Sequence, residues 1–254
     1  MISSPANIGM MKSKEKAKAW YIIDGNADKL IKLLKDQTTC WEEFEDIIKL
    51  SGTLGLEIKG VGLDLAAGVC WTTALLSRIG TVEKIYAVEI SKHRLLKIAP
   101  LVIDLFKAQS DKIVRVIGDF YNIKLEDSSV DFCFMSQAFH HADKPGKLLK
   151  EVYRKLKPGG FILLIGESPI FYKQIIVKYI KNTIKIIFPF LKFKTKLIKK
   201  IFISFKDLYP PNEESGDHYY RIKDYMDIFS SYKYSFYINK QRRFSTFVAV
   251  KPGR

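Results

Sequence analysis

Between residues 61 and 167 the sequence alternates short apolar segments with segments of helical periodicity. The apolar segments are rich in β-branched residues and nearly free of charge, which is typical of parallel strands covered by helices on both faces. The alternation predicts an α/β fold, a Rossmann-like open sheet with strands at 61–66, 84–89, 112–118, 130–136 and 160–166. Helices are predicted between them at 70–79, 91–107 and 145–156.

The sequence on either side of this region has a different pattern. The N-terminal part predicts helices at 14–35 and 40–51. After Glu167 the alternation stops, and apolar residues mix with lysine over 170–205, which predicts two amphipathic helices separated near Pro189. A loop, a helix and an antiparallel hairpin are predicted to follow at 209–217, 219–232 and 234–250.

These patterns divide the chain into four parts. A helical extension comes first, and the α/β core follows it. A basic amphipathic insertion then interrupts the core, which the C-terminal helix and hairpin complete. The predicted boundaries of the four parts are 1–55, 56–168, 169–218 and 219–254.

The positive charge of the chain is concentrated in the insertion. The formal net charge is +15, and between Ser168 and Lys206 there are ten lysines and no acidic residue. Three interpretations are open. The insertion is a cap with a solvated lysine face, an amphipathic element that rests on an anionic membrane surface, or a surface for nucleic acid. The near absence of arginine and of an aromatic stacking platform disfavours the last.

The cysteines and the N-terminus bear on where the protein works. Cys40, Cys70 and Cys133 are too widely spaced for a disulfide framework or a zinc motif, which favours a reducing compartment. The first residues have no apolar stretch typical of a signal peptide. No run of 18 uncharged apolar residues occurs in the sequence. We therefore expect a cytoplasmic protein, peripheral to the inner face of the membrane if the insertion binds lipid.

A turn of small residues follows the first predicted strand of the core. Asp64 is followed by Leu65 and then by Ala66-Ala67-Gly68, and a helix is predicted to begin directly afterwards. Small residues let the backbone approach a ligand closely, and the first turn of a helix offers unpaired N–H groups. The turn alone is equally compatible with an ordinary strand–helix–strand unit. It becomes informative through the ends of the neighbouring strands.

Polar side chains follow three further predicted strands. Glu89 ends the second strand, and its carboxylate could accept two hydrogen bonds from a ribose diol. Asp119 and Phe120 follow the third strand, where they could accept an exocyclic amine and stack on a base. The fourth strand ends in Ser136-Gln137-Ala138-Phe139-His140-His141. Because ligands bind at the carboxyl ends of strands in open α/β sheets, these four strand ends together predict a nucleoside site.

The stretch that contains these features resembles a known family. The matching segments are LDLAAG, YAVEIS, GDFYNIKLEDSSVDFCF, SQAFHHADKPGKLLKEVYRKLKPGG and FILLIGE. Over residues 62–167 the sequence resembles the class I S-adenosylmethionine-dependent methyltransferases, and especially the type 11 group of ubiquinone and menaquinone biosynthesis. The resemblance implies a seven-stranded, mostly parallel sheet whose terminal hairpin is antiparallel, and S-adenosylmethionine as the cofactor.

The resemblance also implies roles for individual residues. The methionine part of the cofactor would lie against Asp64, Ala66 and Gly68, and the ribose hydroxyls would bind Glu89. Around the adenine and the sulfonium methyl, the residues implied are Ile90, Asp119, Phe120, Ser136 and Gln137. The turn of this chain has one glycine where relatives usually place two or three.

Histidines near the end of the fourth strand are candidates for acting on the acceptor. His140 and His141 are the first candidates for a general base, although such a pair could also only shape the pocket. His218 is a second candidate, and Tyr219 or Tyr220 could pack on the acceptor. No metal is expected, because adjacent histidines should point in different directions and no carboxylate clearly completes a ligand set.

The sequence therefore predicts a methyltransferase that modifies a small molecule, a sugar or a lipid-linked acceptor. The alternatives are an RNA methyltransferase that uses the lysine-rich insertion and a non-enzymatic protein that only binds the cofactor.

Overall fold

The computed structural model describes residues 40–190, 204–213, 216–239 and 245–253, together with residue 32. Apart from that residue, the predicted helix at 14–35 lies outside the described residues. So do most of the second predicted helix of the insertion and the connection of the terminal hairpin at 240–243.

Seven strands form one mixed sheet. They are β1 (Gly60–Leu65), β2 (Val82–Glu89), β3 (Ile113–Ile117), β4 (Val130–Ser136), β5 (Leu156–Glu167), β6 (Ser235–Asn239) and β7 (Ser245–Val250). Their order is β3-β2-β1-β4-β5-β7-β6, with β1 to β5 parallel and β7 antiparallel to both of its neighbours. The expected Rossmann-like fold with an antiparallel terminal hairpin is confirmed.

Helices cover both faces of this sheet. They are α1 (Cys40–Thr53), α2 (Trp71–Ser77), α3 (Ala99–Leu105), α4 (Pro145–Lys155), α5 (Tyr172–Phe190), α6 (Phe205–Leu208) and α7 (Ile222–Ser231). Three short turns accompany them, a π-helical one at Arg94–Ile98 and 3-10 turns at Ser110–Lys112 and Phe139–His141. Apolar residues of α4 and α7 pack on one face of the sheet, and apolar residues of α1 to α3 pack on the other.

Alternate residues of the central strands enter opposite cores. In β4, Cys133 and Met135 face the core shared with α4 and α7, whereas Phe132 and Phe134 face the core shared with α1 to α3. This two-sided burial is why the strands appear in the sequence as continuous apolar runs. The ring of Phe132 also explains a glycine in β1, because a Cβ atom at Gly62 would lie 2.4 Å from its Cζ atom.

The first predicted helix of the insertion is α5, which ends at Phe190, one residue after Pro189. The separation of the two predicted helices lies outside the described residues. The exposed face of α5 carries Ile176, Ile180 and Ile184, which are 42%, 50% and 57% exposed. The other side of α5 contacts α6, where the ammonium group of Lys178 lies 3.8 Å from the ring centre of Tyr209. Among the described residues, no helix combines the length and apolar character that a membrane span requires.

Candidate functional site

The turn after β1 has an unusual backbone. Ala66, Gly68 and Cys70 all adopt left-handed conformations, with φ values of 52°, 58° and 64°. This conformation is free of steric cost only for glycine, so two side-chain-bearing residues of the turn are strained. The turn therefore keeps a glycine-like path although only one of its three left-handed residues is glycine.

Asp64 is fully buried at the start of this turn. Its Oδ2 atom accepts hydrogen bonds from the hydroxyls of Thr72 and Thr73 at 2.7 and 2.5 Å, which ties β1 to the first turn of α2. Its Oδ1 atom is also buried and has no hydrogen-bond partner among the described residues. Burial raises the pKa of Asp64 to about 6, although the two hydroxyls act in the opposite direction. The carboxyl of Asp64 is therefore mostly ionised at pH 7, and its Oδ1 atom can still accept a hydrogen bond.

The carboxylate of Glu89, at the end of β2, binds the backbone of the turn after β1. Its Oε2 atom accepts a hydrogen bond from the backbone N–H of Gly68 at 2.8 Å, and Oε1 accepts one from Ser91 at 2.8 Å. Each carboxylate oxygen can accept a second hydrogen bond. The side chain is thus held in place by the backbone and can still accept two hydroxyl groups.

The residues after β3 form the next part of the same edge. Asp119 Oδ1 accepts a hydrogen bond from the backbone N–H of Tyr121 at 2.8 Å. The ring of Phe120 is 8% exposed and meets Tyr121 edge-on, with 4.6 Å between ring centres. Ile90 is half-buried at the end of β2. The carboxylate of Asp119 is fixed by its own turn, and Phe120 packs mainly into the core.

The end of β4 adjoins the end of β1. Asp64 pairs with Phe134, two residues before Ser136, so these two strand ends are neighbours in the sheet. Ser136 and Gln137 are half-buried. Gln137 has a φ of 49°, and its N–H donates to the carbonyl of Ile165 at 2.8 Å. The structure thus brings the predicted cofactor residues to one edge of the sheet, on both sides of β1, where the strand order reverses.

Glu167, at the end of β5, organises the other half of the site. Its Oε1 atom accepts hydrogen bonds from the backbone N–H groups of Ala138 and Phe139 at 3.2 and 3.0 Å. Its Oε2 atom accepts one from the Tyr225 hydroxyl at 2.7 Å and lies 3.1 Å from Nδ1 of His140. Burial acts to raise the pKa of Glu167, but the facing imidazoles and these hydrogen bonds outweigh it and the pKa is lowered.

Asp217 approaches both histidines from the loop before α7. Its Oδ1 atom lies 2.9 Å from Nδ1 of His141 and 3.6 Å from Nε2 of His140. The loop is anchored there, because the N–H of His218 donates to the carbonyl of His140 at 2.8 Å. The two histidines therefore face a common carboxylate, and the geometric reason for expecting no metal does not hold.

A cavity of about 480 Å³ opens beside these groups. Its polar lining comes from the ends of β4 and β5, from the loop before α7 and from α7, with Gln137, His140, Ser168, Asp217, His218 and Tyr225. Such a cavity is large enough for a small organic molecule.

Glu167, Asp217 and the two threonines were not predicted as site residues. Glu167 carries the signal that identified Glu89, an acid at the end of an apolar strand, and the same argument would have found it. Asp217 has no such signal, because its position depends on the path of a loop.

Comparison with known proteins agrees with this geometry. The family model described as a methyltransferase domain matches residues 63–164. The chain is 28% identical over 134 residues to a demethylmenaquinone methyltransferase from Staphylococcus epidermidis, covering 51% of this chain and 53% of that protein. It is 25% identical over 189 residues to one from Staphylococcus saprophyticus, covering 74% and 73%. The first of these matches thus spans about half the length of the relative.

The fold is also similar to that of solved structures. A SAM-dependent methyltransferase from Aquifex aeolicus is 19% identical with a TM-score of 0.56, covering 89% of this chain and 97% of that one. At this identity the likeness bears on the fold alone. The matches to the family and to its members confirm the expected enzyme class and its cofactor, S-adenosylmethionine. Over residues 63–164 the chain is thus similar to the methyltransferase-domain family, and its fold is that of S-adenosylmethionine-dependent methyltransferases.

Proposed function

We propose that this protein transfers the methyl group of S-adenosylmethionine to a small-molecule acceptor bound in the cavity beside Gln137 and His140. The observation that carries the proposal is the position of this cavity. It opens at the ends of β4 and β5, directly next to the edge where the predicted cofactor residues converge. Methyl transfer is an in-line displacement, so the acceptor must approach the methyl carbon from the side opposite the sulfur.

We assign the cofactor residues as follows. The ammonium group of the methionine part pairs with Asp64, whose carboxyl is ionised at neutral pH, and the backbone of Ala66 and Gly68 lies against this part. The two ribose hydroxyls donate to the remaining lone pairs of Glu89. Asp119 accepts the adenine amine. The adenine ring packs against Ile90 with Phe120 alongside, and Ser136 and Gln137 face the sulfonium methyl.

We assign His140 and His141 to the acceptor. His140 lines the cavity, and the ring centre of His141 lies 4.3 Å from that of His140. Their role is to favour loss of the proton from the acceptor atom as it takes the methyl group. Glu167 holds His140 in position, since its carboxylate faces Nδ1.

The acceptor that we propose is a molecule carried at a lipid surface. The named relatives methylate demethylmenaquinone, and helix α5 presents an exposed apolar face. Lys173 and Lys181 are exposed among Ile176, Val177 and Ile180 on that face. Apolar side chains flanked by lysines match the chemistry of an anionic membrane surface.

The cofactor assignment is tested by calorimetry with S-adenosylhomocysteine. We expect Glu89→Ala and Asp119→Ala each to weaken binding at least tenfold, because each removes charge-assisted hydrogen bonds to the ligand. Asp111→Ala, which removes a carboxylate from the exposed turn before β3, is the matched control and should leave the affinity unchanged. Equal affinity of all four proteins would refute the assignment.

The transfer itself is tested with labelled cofactor. Incubation with lipid and aqueous fractions of a cell extract should label an acceptor in the lipid fraction. Labelling confined to the aqueous fraction would refute the lipid-carried acceptor. Cofactor binding without labelling of any fraction would refute the enzymatic function.

A further inference from the structure

His140, His141 and Asp217 form a cluster. A general base needs only one histidine, so proton removal alone does not account for all three residues. One ligand atom from each residue lies within 4.8 Å of those of the other two. The 3-10 turn at Phe139–His141 brings the two imidazole rings to 4.3 Å between centres, with 57° between their planes. Successive residues of an extended strand would place these rings on opposite faces. The turn instead aims both at one carboxylate.

We propose that His140, His141 and Asp217 bind a divalent transition-metal ion of the zinc type at the wall of the acceptor cavity. Two imidazoles and one carboxylate are the protein ligands of many catalytic zinc and iron sites. Zinc–nitrogen and zinc–oxygen bonds of about 2.0 Å place tetrahedral ligand atoms roughly 3.3 Å apart. The separations from Asp217 Oδ1 are 3.6 Å to His140 Nε2 and 2.9 Å to His141 Nδ1, on either side of this value, and all three ligand atoms lie within 4.8 Å of one another.

Glu167 supplies the support that such a site requires. Its carboxylate accepts hydrogen bonds from two backbone N–H groups and from the Tyr225 hydroxyl, and Oε2 lies 3.1 Å from Nδ1 of His140, which is the position of an acceptor for a proton on Nδ1. Nε2 then keeps its lone pair, and this atom faces Asp217. A carboxylate that fixes the tautomer and orientation of a histidine is the usual outer partner of a metal-bound imidazole.

The charges of the site also favour a dication. Glu167 is fully buried and Asp217 is partly buried, with 0% and 30% of their side chains exposed. A divalent ion between these two carboxylates would offset the cost of burying their negative charge.

Three protein ligands leave one coordination position open toward the cavity. This step rests on the proposed function, because an acceptor oxygen bound at that position would be polarised and would lose its proton more easily. The histidines would then act on the acceptor through the ion. An oxygen-bearing acceptor, such as a hydroxyl or an enol, is the substrate class that this arrangement selects.

The test uses the full chain without an affinity tag, stripped with a chelator and titrated with Co²⁺ as a spectroscopic probe. We expect one equivalent to bind and to give visible absorption bands of a four- or five-coordinate ion. Asp217→Asn and His141→Gln should each weaken binding at least tenfold, and Glu167→Gln should weaken it about tenfold through the outer shell. Asp227→Asn is the matched control, since its carboxylate is exposed and pairs with Lys223.

Two results would overturn the metal site. One is the absence of stoichiometric Co²⁺ binding by the wild type. The other is unchanged binding by both Asp217→Asn and His141→Gln, with folding of each variant verified by circular dichroism. Calorimetry with S-adenosylhomocysteine on the chelated protein separates this outcome from failure of the proposed function. Retained cofactor binding without Co²⁺ binding removes the metal alone, whereas loss of cofactor binding removes the assigned cofactor site.

Discussion

The turn after β1 keeps a left-handed backbone at three residues although it contains fewer glycines than are usual in the family. Ala66 has a φ of 52°, and a non-glycine residue in this region costs about 1 kcal/mol or more. The turn itself was predictable, because small residues follow an apolar strand and precede a segment of helical periodicity. The strain was not predictable, since a sequence does not reveal which residues of a turn have positive φ.

We expect Ala66→Gly to stabilise the protein by about 1 kcal/mol, because glycine adopts the left-handed conformation without a steric cost. Urea unfolding measures the change in the free energy of unfolding. Ala67→Gly is the matched control, since Ala67 is buried and is not among the positive-φ residues. It should be destabilising. Equal destabilisation by the two variants would contradict the strain at Ala66.

Asp64 should make the stability of the protein depend on pH. Its pKa is about 6 in the folded chain and 3.8 in the unfolded reference, so between these values the folded state binds more protons. The contribution of Asp64 to the free energy of unfolding therefore falls as the pH rises from about 4 to 6. The fall is up to about 3 kcal/mol.

Urea unfolding of the wild type and Asp64→Asn at several pH values isolates this contribution from those of other carboxyls. The variant should gain stability relative to the wild type as the pH rises through this window. A difference that is constant from pH 4 to 7 would show that Asp64 has an ordinary pKa.

Strands and helices were predicted correctly where the periodicity of apolar residues determines the structure. The central strands and α4 lie where their patterns placed them, because their side chains fill the two cores. The helix predicted at 91–107 was less regular, since Pro100 lacks a backbone N–H and a π-helical turn precedes α3. Strand β5 begins at Leu156, four residues before the strand predicted at 160–166, and it pairs with β4 through an irregular register.

Glu167 should be the residue that fastens β5 to α7 and to the turn at Phe139–His141. Glu167→Ala leaves two buried backbone N–H groups and the Tyr225 hydroxyl without their acceptor, which should cost about 3–5 kcal/mol. Tyr225→Phe removes one of these hydrogen bonds and should cost about 2 kcal/mol. Urea unfolding gives both values. A smaller loss for Glu167→Ala than for Tyr225→Phe would contradict this role.

For the whole molecule, the order of the seven strands follows from the family, but the relation of the insertion to the site does not. The mixture of apolar residues and lysine predicted amphipathic helices in the insertion, and the three interpretations of its charge could not be separated by sequence. The structure adds the exposed isoleucines, since side-chain exposure depends on what a helix packs against. Asp217 shows the same limit, because the loop that carries it reaches the histidines only in the folded chain.

If α5 rests on a membrane, the molecule should bind anionic vesicles through the exposed isoleucines of this helix. Ile180→Glu combined with Ile184→Glu should weaken co-sedimentation with phosphatidylserine-containing vesicles at least tenfold, because two apolar groups no longer enter the interface. Leu96→Glu combined with Leu101→Glu is the matched control, since these residues are 43% and 42% exposed near α3. Equal losses for the two pairs, or no binding by the wild type, would refute the membrane role.

The backbone pairing at Ile170 has a consequence for how such enzymes diversify. The N–H of Ile170 donates to the carbonyl of Tyr220 at 2.8 Å, and the N–H of Ile222 donates to the carbonyl of Ile170 at 3.2 Å. The segment between Ile170 and Ile222 therefore begins and ends at the same point of the domain. It is a module that could be exchanged without a change in its point of attachment. Because Asp217 and His218 belong to this module, its exchange would alter the chemistry of the acceptor side together with its shape. Exchange of this module could thus change the methylated acceptor in one evolutionary step, while the residues assigned to the cofactor stay unchanged.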